Sequence, residues 1–547
     1  MKKIIIGASV GECIHVAGLL NFLQLAESAG FQVIFLGPAV SLDNLIKQII
    51  ERRPEMVAIS YRLSSKSLSD LLGELKKRKS FEPSLQNSRY IFGGTVETAQ
   101  VAKQQGFFEK VFDGTESLEE IVSFLQGTHY KEERTLTYPD NLLDRIALKY
   151  PAPLLRHHIG LSSVEETIEG VKEIAKAKIL DIISLAPDQT AQQYFFKANE
   201  LSTKSIGAGG VPLRERDDLI KIYESSRCGN YPLLRCYSGT DDIFKWAELQ
   251  QDTIKNAWCA IPLSWYNVLD RRSSRRLIDS IREAQKLMKW HADRGIPVEV
   301  NEAHQWSLRR APDTIAVATA FLAAYNAKQM GVRHYISQYM FNTPAQISPC
   351  MDLAKMLAKI EMIEALHDNT FQSYRQIRPG LLSYPTDLDA AKGQLSYSIM
   401  LGMMLKPHIV HVVAYCEGQY AAGSKEIIES CKIANNVIQN CLKGFPGTLL
   451  IDYEIQQKKE KLKAEAKILL EAIRELGGGY KDPLTCPEVL AKAIKWGLLD
   501  APDLTGNEEA KGEISTGIID GSCVAIDATG RALSEEERIK KCIGSVK

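Results

Sequence analysis

The sequence predicts an α/β protein made of two successive strand–helix arrays. The first is a doubly wound, flavodoxin-like parallel sheet, the second a (β/α)₈ barrel with a C-terminal extension. Three observations lead there. Five short apolar runs alternate with amphipathic stretches over residues 1–127. The same alternation returns with longer helices over 156–445. Beyond 446 it gives way to a Lys/Glu-rich stretch, the break Gly477-Gly478-Gly479 and short pieces. Residues 128–155 are polar and proline-punctuated and read as a connecting segment. At 547 residues the chain is too long for one hydrophobic core, so several domains are expected.

In the first array, strands are expected at 3–7, 31–36, 56–60, 89–92 and 110–112. The helix at 16–29 should end at Gly30, and the helix after Ser41 has that serine as its N-cap. Further helices are expected at 68–79 and 98–105. Such sheets bind ligands beyond their strand C-termini, at a topological switch point.

In the second array, seven strands are expected at 179–184, 232–236, 257–262, 298–301, 334–338, 372–378 and 409–414. Amphipathic helices at 277–291, 314–330 and 351–366 lie between them. In a barrel of this type the chemistry sits just after the strands. The residues there are unusually polar and include Glu302, His304, Arg375, Arg378 and Glu417, read as candidate catalytic groups pointing at one mouth.

Lysine plus arginine equals aspartate plus glutamate at 67 each, so no global field favours nucleic acid or an anionic membrane. The eleven cysteines contain no Cys-x-x-Cys pair, which points to reduced thiols and away from a disulfide framework, a zinc site or an iron–sulfur cluster. No small-residue cleavage site follows Lys2-Lys3, and no run of about 18 apolar residues occurs. A cytoplasmic location is therefore expected, with a small-molecule substrate as the partner, no nucleic acid or membrane, and a homo-oligomer, most simply a dimer.

The most specific local signal is the run Gly11-Glu12-Cys13-Ile14-His15-Val16-Ala17-Gly18 after the first strand. Ser60-Tyr61-Arg62-Leu63 and Phe92-Gly93-Gly94 stand at two later strand ends. An exposed imidazole beside small residues suits a large flat ligand with a metal at its centre. This trio resembles the cobalamin-binding fold of corrinoid mutases and methyltransferases, whose pattern is Asp-x-His-x-x-Gly, Ser-x-Leu and Gly-Gly. The resemblance implies a cobalamin cofactor, with His15 as the cobalt ligand. Gly11, Cys13, His15, Gly18, Ser60, Arg62, Gly93 and Gly94 are its expected binding residues. Two positions depart: Cys13 replaces the aspartate that supports the axial histidine, and Arg62 stands where leucine is usual.

The barrel and tail resemble the catalytic subunit of glutamate mutase, from Val298-Glu299-Val300-Asn301-Glu302 through Cys416-Glu417 to Gly497-Leu498-Leu499-Asp500-Ala501-Pro502. That resemblance implies a carbon-skeleton isomerase using adenosylcobalamin in preference to methylcobalamin. The family's three arginine positions fall on 207–211, Tyr237-Ser238-Gly239-Thr240 and Trp265-Tyr266-Asn267-Val268, none of which holds an arginine. The substrate is therefore expected to be a carboxylate other than glutamate, with Arg375 and Arg378 available to grip it. A corrinoid methyltransferase and a non-catalytic cobalamin carrier or sensor are the alternatives. A methyltransferase calls for a nucleophile activator such as zinc. The nearest donors, His408 and His411, are three apart on a strand and should face opposite ways.

Overall fold

The computed structural model describes residues 3–116, 118–126, 138–200, 209–444 and 450–544. The chain divides into two compact units, Met1–Leu136 and Thr137–Lys547.

The first unit is a five-stranded parallel sheet in the order β2-β1-β3-β4-β5. Its strands are β1 (Ile4–Val10), β2 (Gln32–Val40), β3 (Met56–Tyr61), β4 (Arg89–Gly94) and β5 (Lys110–Phe112). β1 and β3 are buried along nearly their whole length, as expected for central strands covered on both faces. Apolar side chains leave the sheet on alternate sides. Ile6, Ala8, Val57 and Ile59 enter one core, while Ile5, Met56, Ala58 and Ile91 enter the other with Leu19 and Leu23. Ser41 caps its helix as expected, its hydroxyl accepting from Asn44 N at 3.3 Å.

The second unit contains eight parallel strands, in the order β8-β7-β6-β13-β12-β11-β10-β9. They are β6 (Leu154–Ile159), β7 (Ile182–Leu185), β8 (Leu233–Arg235), β9 (Cys259–Ile261), β10 (Val298–Val300), β11 (His334–Met340), β12 (Gln372–Arg378) and β13 (Ile409–His411). A single bridge from Tyr237 to Ala260 joins the edges β8 and β9, so the barrel is nearly closed. Seven of these strands match the expected positions. β6 does not, because its polar core Arg156-His157-His158 hides the apolar signal of a strand.

The segment read as a connector needs correcting for the same reason. Of residues 128–155, 128–137 lie outside the described residues. From 138 on the chain belongs to the barrel unit, carries the helix Leu142–Lys149 and starts β6. Leu142 and Ile146 of that helix pack against Leu154, Ile182, Leu233 and Ile409. These strand residues form an apolar floor inside the barrel, and the helix plugs it.

The extension is built onto the barrel's outer helices. The helix Tyr453–Leu476 buries Leu462, Ala466, Leu469 and Ile473 in the core shared with the helices Asp313–Gln329 and Pro349–Glu364. Its charged run is therefore only half solvated: Lys459 Nζ bonds Glu361 at 2.5 Å. An antiparallel hairpin, β14 (Thr516–Ile519) and β15 (Ser522–Ala525), is locked by one carboxylate. Asp313 Oδ2 accepts from Ser522 Oγ at 3.0 Å and from Cys523 N at 2.9 Å. Its Oδ1 accepts from Lys355 Nζ at 3.1 Å, and Lys355 is fully buried. No helix among the described residues is long and apolar enough to cross a membrane.

Candidate cofactor and substrate sites

The first site forms at the C-terminal edge of the five-stranded sheet. Parallel register places Ser9, Ser60, Gly93 and Phe112 in one row across β1, β3, β4 and β5. Small residues in the middle of that row leave a cavity of about 580 Å³ between the sheet and the helices Ala17–Ser28 and Leu118–Gln126. Gly18, Ser60, Arg62, Gly93 and Gly94, five of the residues read from the sequence, line it. A β-carbon on Gly18 or Gly93 would meet nothing within 4 Å, so both glycines open onto free space.

The remaining predicted residues have other jobs. Gly11 takes φ +63 and turns the chain after β1, where a β-carbon would meet Leu71 Cδ1 at 2.7 Å. Cys13 is fully buried beneath the loop, its Sγ accepting from Arg62 N at 3.3 Å. His15 is exposed on the same loop, its Nδ1 3.9 Å from Cys13 Sγ and its Nε2 without a partner among the described residues. The exposed apolar groups Ile14 (66%) and Leu63 (39%) stand on two loops that carry the motif, and Val96 (54%) opens the helix Val96–Gln105 just after Gly93-Gly94. Sequence reasoning missed the helix face Leu19, Phe22 and Leu25 and the strand-end pair Phe112 and Asp113, which complete the cavity. The i, i+3, i+6 spacing of Leu19, Phe22 and Leu25 carried that signal.

These features fit a corrinoid. An open imidazole nitrogen has the chemistry to ligate cobalt, exposed apolar groups suit a macrocycle, and the cavity has room for a flat appendage. Residues 3–122 match the family model of the B12 binding domain.

The N-terminal unit carries a B12-binding domain. A crystal structure of a novel cobalamin-binding protein from Desulfitobacterium hafniense DCB-2 matches at 25% identity, over 20% of this chain and 52% of that one, with a TM-score of 0.19. The chain thus spans about half the length of that protein. No curated protein matches the chain.

The second site lies inside the barrel, one layer above the apolar floor. Strand residues two positions beyond the floor point the same way and are polar: Arg156, Ser184, Arg235, Gln338, Gln376 and His411. Arg156 Nε donates to Ser184 Oγ at 2.7 Å and its Nη1 to Gln376 Oε1 at 2.7 Å. Glu299 lies 3.7 Å from Arg156 and 3.8 Å from Arg235, and accepts from Trp258 Nε1 at 2.8 Å. Above this layer is a polar cavity of about 310 Å³ whose walls include Arg156, His158, Tyr237, Glu299, His304 and Arg378.

Its charge balance is one-sided. Burial and the Arg235 charge push Arg156 below the ordinary arginine range, against the opposing pull of Glu299. Burial and the neighbouring arginines push His158, His304 and His411 well below the usual imidazole range, so all three are neutral at pH 7. Several donors are also unsatisfied. Arg378 Nε and Gln338 Nε2, both in residues that line the cavity, are buried without a hydrogen-bond partner, as is Arg235 Nη2 in the layer below. The cavity is thus a set of buried donors in search of an acceptor.

The five predicted catalytic residues separate. His304 and Arg378 line the cavity. Arg375 does not: three positions from Arg378 on a strand, it points outward. There its Nε bonds Glu364 at 2.8 Å and its Nη1 bonds Leu405 O at 2.7 Å. Glu302 is 1% exposed and spends its carboxylate on Leu263 N and Ser264 N at 3.0 Å and Trp306 Nε1 at 2.8 Å. It fixes two loops and does not line the cavity. Glu417 lies 3.1 Å from His157 Nε2, outside the cavity wall. Burial raises its pKa, but His157 and Arg378 outweigh that and hold it below the usual carboxylate range.

His408 and His411 face opposite ways. His408 Nδ1 accepts from Arg375 N at 3.0 Å outside the barrel, while His411 Nε2 faces His158 Nδ1 at 3.2 Å inside it. No group of three or more His, Cys, Asp or Glu among the described residues is placed to hold a metal ion.

Proposed function

We propose that this protein is an adenosylcobalamin-dependent carbon-skeleton isomerase acting on a small carboxylate-bearing substrate other than glutamate. The observation that carries this reading is the barrel cavity, where the buried donors Arg378 Nε and Gln338 Nε2 lack partners and Glu299 is the single carboxylate among the described lining residues. A carboxylate supplies the missing acceptors and the missing negative charge, and a guanidinium holds it by paired, charge-assisted hydrogen bonds. The likeness of the barrel and tail sequences to a mutase subunit supports the same reading.

The residues divide the work by position. Arg378 and Gln338 bind the substrate's carboxylate from the wall, and Arg156 sets the field beneath it. His158 and Tyr237, joined by a 2.7 Å hydrogen bond, fix the polar wall opposite and hold a proton at the Tyr237 hydroxyl. The apolar floor and the helix Leu142–Lys149 exclude water from below. In the N-terminal unit, His15 would ligate cobalt, while Ser60, Gly18 and Gly93 would make room for the rest of the cofactor. Cobalamin, when bound, supplies a weak cobalt–carbon bond as the source of radical chemistry.

The test is to load the full chain separately with adenosylcobalamin and methylcobalamin and to add short carboxylic acids. Appearance of cob(II)alamin in the visible spectrum, dependent on both the adenosyl form and an acid, is the expected result. Demethylation of the methyl form by an added nucleophile would replace this reading with a methyltransferase. Tight binding of cobalamin with no response to any acid would replace it with a carrier.

A further inference from the structure

The support of the histidine ring is the unusual part of the cofactor site. A metal-ligating histidine ordinarily donates its second ring N–H to a carboxylate, a backbone carbonyl or a water, and such a partner is typically worth about 10–100-fold in metal affinity. In His15 the open nitrogen is Nε2, and Nδ1 faces a sulfur, Cys13 Sγ, at 3.9 Å. Thiol sulfur is a weak acceptor. This one already accepts from Arg62 N at 3.3 Å.

The surroundings keep it that way. Cys13 is 0% exposed, and its backbone carbonyl accepts from Ser9 Oγ at 2.8 Å and from Ala39 N at 3.0 Å. Gly11 turns the chain into this loop at φ +63, in the left-handed region. The neighbouring carboxylate in the chain, Glu12, is engaged elsewhere, accepting from Tyr61 OH at 2.6 Å. Meanwhile the cavity of about 580 Å³ offers a hold on the cofactor that does not involve His15 at all.

We propose, resting on the cobalamin reading of the N-terminal unit, that Cys13 makes His15 a weak, exchangeable lower ligand. The cavity then carries the affinity for the corrinoid, and the cobalt's lower position alternates between His15 and solvent. Cys13 is a positioning residue here: it acts on cobalt only through His15.

The experiment uses the full-length protein with uniformly ¹⁵N-labelled histidine, loaded with cob(II)alamin and read by electron paramagnetic resonance. Nitrogen splitting that changes on ¹⁵N labelling marks cobalt ligated by a protein histidine, apart from the cofactor's own base. In wild type the expected spectrum is a mixture in which the histidine-ligated form is the minor part. Cys13→Asp should raise the ratio of ligated to unligated cobalt by about tenfold, the lower end of the effect such a partner has elsewhere. Cys13→Ser, which keeps the size, should raise it in the same direction and serves if the aspartate variant does not fold. His15→Ala should still co-elute with cobalamin, with an affinity reduced by less than about tenfold.

Full ¹⁵N-sensitive splitting in wild type, unchanged in both Cys13 variants, would overturn the proposal and leave the cobalamin reading standing. Loss of all cobalamin binding in His15→Ala would do the same. Failure of wild type to bind cobalamin at all would remove the premise.

Discussion

Arg156 Nη2 lies 3.0 Å from His158 Nε2, and that contact sets the protonation of the whole imidazole pair. A guanidinium only donates, so Nε2 of His158 accepts. A neutral His158 therefore carries its proton on Nδ1 and donates it to His411 Nε2, 3.2 Å away. His411 must then carry its own proton on Nδ1, which is buried without a partner. We expect ¹⁵N NMR of histidine-labelled protein to show these two tautomers, unchanged from pH 7.5 to pH 5.5.

The same burial has a thermodynamic consequence. His158, His304 and His411 all titrate well below 6.5 in the folded protein, whereas the unfolded chain takes up protons near that value. Below that pH the unfolded state binds more protons, so stability falls as pH drops from about 6.5 to 5, with a slope of up to about 1.4 kcal/mol per pH unit for each histidine. Chemical denaturation at a series of pH values measures this. Burial also lowers His334, His367 and His408 and pushes His291 down to about 4, so replacing His304 with Gln should remove only its own share, at most about 1.4 kcal/mol per pH unit.

Arg375 and Arg378 should part company on substitution. Arg378→Ala removes a cavity donor, and we expect calorimetric binding of short carboxylic acids to weaken by about 2–4 kcal/mol with little loss of melting temperature. Arg375→Ala removes the outward links to Glu364 and Leu405, so melting temperature should fall while acid binding stays within about threefold of wild type.

Two adjacent glycines provide a sharp contrast in the cofactor unit. A β-carbon on Gly93 meets open space, so Gly93→Leu should fold and yet exclude cobalamin by filling the cavity. A β-carbon on Gly94 meets Tyr61 O at 2.7 Å, so even Gly94→Ala should cost about 1–3 kcal/mol of stability. Thermal melts and cobalamin co-elution on a sizing column separate the two effects.

The hairpin β14–β15 should depend on Asp313. Asp313→Ala leaves the buried Lys355 with one carboxylate, Asp352 at 3.5 Å, beside the Thr343 carbonyl at 2.8 Å, and frees Ser522 and Cys523. We expect a loss of about 3–5 kcal/mol, with faster amide exchange in residues 516–525 before any change in the five-stranded sheet.

The two arrays of alternating strands and helices, and hence the fold class, were determined by the sequence alone, because apolar periodicity of 2 and 3.6 is a local property. Ser60 and Gly93 were also legible at their strand ends, and His15 in the loop that follows β1, since a parallel sheet brings strand ends and the loops after them together. The cavity behind them was only partly legible, because a helix face and a fifth strand contribute to it from distant positions.

In the barrel, only tertiary structure decided which polar residues face inward. Arg378 and Arg375 look alike in sequence, and the two-residue alternation of β12 sends one to the cavity and the other to Glu364. Arg156, His158 and Arg235 interrupt apolar runs, which hides them from a reading of apolar periodicity. That interruption was the signal: an apolar residue followed two positions later by a charged one recurs in Leu154-x-Arg156 and Leu233-x-Arg235, and in a closed barrel it stacks a polar layer above an apolar floor. Closure itself converts that pattern into a site, since charges from strands far apart in the chain acquire a common, water-poor interior only once β6 to β13 have joined.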